Sequence, residues 1–386
     1  MHPLKILASI ITLYILSGIG VVHAKVLDDS LLPYQAQVDN IVQGFNLRDH
    51  QPFSDALDIE AILDKSLDSF LLERSFREEF RNSFSKTGAD KLGQNILASL
   101  GDYGMAKLIN IQPSDTGAQA LMRLDFGDSG NGYMILDLIT DGQGKVRVTD
   151  WFDYSAGQKY SASLSQLVAL FSPTPTIVGT VFDIATDREE QTRLIMDLFE
   201  KQQQGDYEAV VKSFLSLDET LKSNRALNFF AVQAANLSGD DQLYLATLEN
   251  VERHFSTDPT LQFVLVDYYF LKGDFNKAIQ SLENIHQDFG TEDAAIYSML
   301  SNAHYEAGEI EQAINHASRA IEIEPEYENG YWSLFSLHIQ TQRWQDAVAV
   351  ARILESRFDY DLGPSSLEQA GGYQSFIASP AYQAWK

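Results

Sequence analysis

The chain has 386 residues, no cysteine and a formal net charge of −26. The lack of thiols excludes disulfides, zinc–thiolate sites, cysteine nucleophiles and a lipid-modified N-terminal cysteine. The charge repels phosphates and anionic headgroups, so no nucleic-acid partner is expected. The length suffices for two domains, each with its own apolar core.

Residues 1–24 read as an export signal. Lys5 precedes an apolar run from Ile6 to Val22, and Val22-His23-Ala24 supplies small residues for cleavage before Lys25. The run, roughly 17 residues, sits at the lower limit of a bilayer span, which leaves an uncleaved anchor as the alternative. Loss of the segment removes Lys5 and takes the charge to about −27. The expected location is periplasmic or secreted, with no membrane contact after cleavage.

Residues 25–172 read as an α+β domain. Ser54 to Leu72 places Leu57, Ile62, Leu63, Leu67, Phe70 and Leu71 on one helical stripe. Phe76, Phe80 and Phe84 follow at four-residue spacing, and Ala89 to Leu100 predicts a third helix. The period then changes to two over Ala106–Gln112, Gln119–Phe126, Tyr133–Thr140 and Lys145–Tyr154, with Gly- and Asp-rich turns between. Helices followed by a four-stranded antiparallel meander predict a sheet with helices on one face. The order is similar to the cone-shaped, cystatin-like fold of the nuclear transport factor 2 type. Val146 to Ser161, with Asp150, Tyr154, Gly157 and Ser161, resembles N-terminal domains of exported tetratricopeptide proteins. A helix over Ser163–Phe171 and the Ser172-Pro173-Thr174-Pro175 stretch mark the boundary, and residues 173–190 read as linker.

Residues 191–361 repeat. Gly205, Gly239, Gly273, Gly308 and Gln342 occupy equivalent turns, separated by 34, 34, 35 and 34 residues. Each turn ends one helix and begins another. Five residues past the turn, Ala278, Ala313 and Ala347 let the paired helices approach, whereas Val210 and Tyr244 depart from this, so an irregular start is expected. The segments from Gly273, from Gly308 and through Pro325 resemble the tetratricopeptide family, a right-handed helical solenoid. Residues 362–386 predict a cap, with Ser379-Pro380 opening a helix and Phe376, Tyr382 and Trp385 covering the apolar end.

No phosphate loop, Gly-x-Ser-x-Gly or His-Glu-x-x-His occurs, so neither an enzyme nor a cofactor is predicted. The histidines, including His304, His316 and His338, suggest no metal site, and the turns with Asp128, Asn131 and Asp141 lack a calcium-loop rhythm. Asp125, Asp137, Asp150 and Asp153 cluster on the strands. Asp150 shares its phase with Val146, Val148 and Phe152, and an inward carboxylate needs a partner.

What the tetratricopeptide resemblance implies is a concave groove lined by the first helix of each repeat. Ile195 and Phe199 fall there in the first repeat, then Phe229, Gln233 and Asn236 in the second. Phe263, Asp267 and Phe270 belong to the third, and Ser298, Asn302 and Tyr305 to the fourth. Trp332, Ser336 and Ile339 complete it. Aromatic, amide and hydroxyl groups suit an extended peptide or a helix of a partner protein. Homo-oligomers are compatible with the array. The expected function is an exported interaction scaffold. The alternative is a small apolar ligand held in the N-terminal cone by Met122, Leu124, Phe126, Met134, Leu136 and Leu138.

Overall fold

A computed structural model describes residues 28–68, 74–127, 130–171 and 189–386. The export segment, Phe70, Leu71 and the Pro-rich boundary lie outside them. No helix of the described residues is long and apolar enough to cross a membrane.

Four helices open the fold: α1 (Leu32–Asn46), α2 (Gln51–Ala56), α3 (Ile59–Leu67) and α4 (Arg74–Leu100). The stripe from Ser54 is not one helix. Leu57 turns extended and forms a parallel bridge with Val148, and Asp58 restarts the helix by accepting from the Ala61 amide at 3.0 Å. The Phe76–Phe80–Phe84 ladder and the predicted third helix instead form the single 27-residue α4. Gly93 within it leaves room for Ser54 and His50 of α2, so the two helices approach closely.

Strands β1 (Met105–Ser114), β2 (Gly117–Asp125), β3 (Asn131–Thr140), β4 (Val146–Asp153) and the short β5 (Gln158–Lys159) form an antiparallel meander in chain order. β5 is one strand more than the sequence suggested, and it leads directly into α5 (Tyr160–Phe171). One face, with Ala120, Met122, Leu136, Leu138, Val148 and Trp151, packs on α1 to α5. The opposite face is buried too. Leu121, Tyr133 and Tyr154, flanked by Ile109, Ile135 and Phe152, pack against the C-terminal helices. A sheet covered on both sides does not alternate cleanly, which is why β2 is buried along most of its length. A bulge at Thr149 breaks the phase of β4, so Val148 and Trp151 share the helix side while Phe152 turns to the other.

The array pairs α6 (Glu189–Gln203) with α7 (Tyr207–Leu215), α9 (Arg225–Ser238) with α10 (Asp241–Phe255) and α11 (Gln262–Lys272) with α12 (Phe275–Phe289). It continues with α13 (Ala294–Glu306) and α14 (Ile310–Ile323), then α15 (Glu328–Gln340) and α16 (Trp344–Phe358). The start is irregular, because α7 stops early and a one-turn α8 (Glu219–Lys222) follows. All five turn residues adopt left-handed backbone, Gln342 included (φ 57°). The three short helices α17 (Pro364–Ala370), α18 (Gln374–Ile377) and α19 (Pro380–Trp385) close the end. Ser379 caps α19, and the buried Tyr382 donates to the Leu362 carbonyl at 3.0 Å.

Candidate functional site

The outer face of the sheet meets the array where its first helices begin, and polar groups fix the seam. Asp293 caps α13 by accepting from the Ala295 and Ile296 amides (3.0 and 3.1 Å). The same carboxylate accepts from the Tyr133 hydroxyl and from Arg123, each at 2.6 Å. Arg123 also forks onto Glu324 at 2.9 and 3.0 Å and lies over the Tyr327 ring, 4.9 Å from its centroid. Lys107 reaches Glu324 at 2.8 Å. Arg123, on β2, is only 3% exposed and Asp293 only 1%. Burial alone would lower the guanidinium pKa, but Asp293 and Glu324 outweigh it and hold it above the ordinary value. Burial, then Asp293, pushes the Tyr133 phenol well up.

A second contact lies at the turn after β4. Gly157 has φ +59° and sits against Leu261 and Phe229, and its carbonyl accepts from Arg225 at the start of α9. Arg225 also pairs with Asp258. Tyr133 and Tyr154 pack edge-on to Phe263, with ring centroids 5.5 and 6.4 Å away.

Beyond this seam the array's inner surface stays open as a cavity of about 580 Å³. Gly130 and Asn131, at the start of β3, form one wall, and α11, α13 and α15 form the others. The size is that of a ligand or side-chain site. Phe263, Tyr305, Tyr327 and Trp332 supply aromatic surface, and Asn302, Asn329, Ser333, Ser336 and Gln340 supply polar groups. Trp332 is oriented by its indole N–H, which donates to Glu328 at 3.2 Å. Two lining residues, Ser298 and Asn131, each keep an enclosed side-chain oxygen, Oγ and Oδ1, without a protein partner. Asp267 accepts from the Tyr244 hydroxyl at 3.1 Å, and partial withdrawal from water raises its carboxyl above the usual range.

Residues 269–334 match the family model described as tetratricopeptide repeat. The matched segment runs from α11 to α15, and the helical pairs of the C-terminal half are tetratricopeptide-like. Two solved structures are similar to the chain: MamA 41-end from Desulfovibrio magneticus RS-1 (14% identity, 48% of this chain and 98% of that one) and a crystal structure of MamA protein (16%, 45% and 97%). Both have a TM-score of 0.35, a level that carries no argument about partners or assembly. No curated protein matches. The family match lies wholly in the array and leaves the nuclear transport factor 2 resemblance of the N-terminal domain unsupported.

Within the helical array, Phe263, Asp267, Ser298, Asn302, Tyr305, Trp332 and Ser336 line this cavity. Phe229, Gln233 and Asn236 do not. Phe229 is buried under Gly157 and Arg225, while Gln233 and Asn236 are exposed on α9 away from the cavity. Ile195, Phe199 and Ile339 are core, because neighbouring repeats cover them. Tyr327 and Asn329 were not singled out in the sequence, and Asn131 was weighed only as a turn residue for calcium. Asn131 reaches the site only because the sheet docks there, Tyr327 precedes α15, and Asn329 lies three residues before Trp332 on the face that the repeat register turns inward.

The remaining candidates resolve into structural roles. Asp150 is fully buried and accepts from Ser161 Oγ (2.7 Å), the Ser161 amide (3.1 Å) and the Trp151 amide (3.0 Å), anchoring the start of α5. Asp137 pairs with Lys159, and Asp153 accepts from Ser155. Asp141 is a turn residue, its pKa lowered by the Lys145 and Gln143 amides. Met122, Leu124, Met134, Leu136 and Leu138 pack into the core beneath the helices, with Phe126 against it, so the apolar set fills the cone rather than lining a space. His304 and His316 stack at 4.8 Å, and His304 bonds Glu309.

Proposed function

We propose that the protein is an exported, non-enzymatic adaptor that holds a segment of a partner protein in the cavity between its sheet and its last three repeats. Export rests on the character of residues 1–24. The adaptor reading rests on the tetratricopeptide array and on one observation above all. The array's inner surface keeps a concavity of about 580 Å³ with aromatic walls and amide and hydroxyl groups between them. Aromatic rings with interspersed amide and hydroxyl groups suit an extended partner segment, whose side chains pack on the rings while its backbone groups hydrogen-bond. The N-terminal domain covers the front of the groove and gives one wall of what remains, so any bound segment touches both parts.

Pull-down from native extract with the wild-type chain and with Trp332→Ala/Asn302→Ala tests this. A central aromatic in an interface contributes about 2–4 kcal/mol, so the variant should lose the partner by more than 30-fold while its circular dichroism stays unchanged. Equal recovery by both chains rejects the cavity as the site.

A further inference from the structure

The chemistry of the cavity narrows what enters it. Its lining carries one ionisable acid, Asp267, and no lysine, arginine or histidine. Asp267 has the Tyr244 hydroxyl as a neighbour and makes no ion pair among the described residues. The same lining carries Phe263, Tyr305 and Trp332, aromatic rings whose faces attract cations. Asn302, Ser333 and Ser336 add amide and hydroxyl groups to the same lining. The chain as a whole carries −26, a field that gathers cations and repels acidic peptides.

An anionic ligand would meet an uncompensated carboxylate here and find no basic group to bind. A purely apolar one would strip water from the exposed Asp267 carboxylate and offer it no donor. A cationic group answers both, because its N–H donors satisfy oxygen acceptors while its charge pairs with the carboxylate. We propose that the cavity receives a lysine or arginine side chain of an extended partner segment, with Asp267 as its counter-ion and the aromatic walls around its stem. The inference rests on the adaptor reading and adds the chemistry of the occupant.

A positional-scanning array of acetylated, amidated decapeptides, probed with the full chain, tests it. The wild type should select Lys or Arg at one position at least tenfold over Glu or norleucine. Asp267→Asn keeps an oxygen to accept from Tyr244 but removes the charge, and should reduce that preference about tenfold while selection at other positions persists. Trp332→Ala should lower binding of the selected peptides overall. Peptides bound through the cavity without a cation preference, or with one that Asp267→Asn leaves intact, would overturn the inference and leave the adaptor reading standing. No peptide bound above background, or binding that Trp332→Ala does not weaken, would overturn both.

Discussion

Arg123→Ala is expected to lower the unfolding free energy by about 3–5 kcal/mol, the range for breaking one side of a buried ion pair. The loss is large because two carboxylates depend on this guanidinium. Asp293 is 1% exposed and keeps only the Tyr133 hydroxyl and two helix amides, while Glu324 keeps Lys107. Water cannot replace the missing donors without opening the seam. Urea unfolding followed by far-UV circular dichroism measures the change. A loss under 1 kcal/mol would show that the sheet and the array are not held by this network.

The second large effect is expected at Gly157. A side chain there must adopt φ +59°, and its Cβ would lie 2.7 Å from Phe229 Cζ and still nearer the Leu261 methyl. Backbone strain and overpacking at a β-branched residue together cost about 2–4 kcal/mol, so Gly157→Val should destabilise the chain by that amount. Gly127 makes a matched control, since it has φ +65° but nothing within 4 Å of a Cβ. Gly127→Ala should cost only the backbone part, about 1–2 kcal/mol. Equal effects from both substitutions would mean that the close approach of Gly157 to the array carries no weight.

The sequence makes the array legible because its signal repeats. A glycine that must take positive φ recurs at 205, 239, 273 and 308, and the fifth turn keeps the geometry even with Gln342. The meander is legible for a similar reason, since its turns need Gly and Asp. The seam is not. Arg123 and Asp293 lie 170 residues apart, and a single charge on a strand of period two looks like a solvent-facing residue. Burial of the second face of the sheet depends on that docking, so the apolar residues Leu121, Ile135 and Phe152 could not be assigned to it in advance. The same blindness explains Phe229, which holds a groove position by repeat register but lies beneath Gly157. At Leu57 the local signal existed and was outweighed. The apolar stripe runs through it, yet Asp58 is a helix-starting residue and the backbone breaks there.

Photocrosslinking from two exposed glutamines tests the central claim, that partners bind in the cavity behind the seam rather than along the whole groove. Gln340 lies on the cavity lining, whereas Gln233 lies on the groove face of α9 outside it. With benzoylphenylalanine at each site in turn, and the full chain irradiated in native extract, a partner adduct should form from position 340 and not from position 233. An adduct from position 233 with none from position 340 would contradict the claim and place binding at the front of the array.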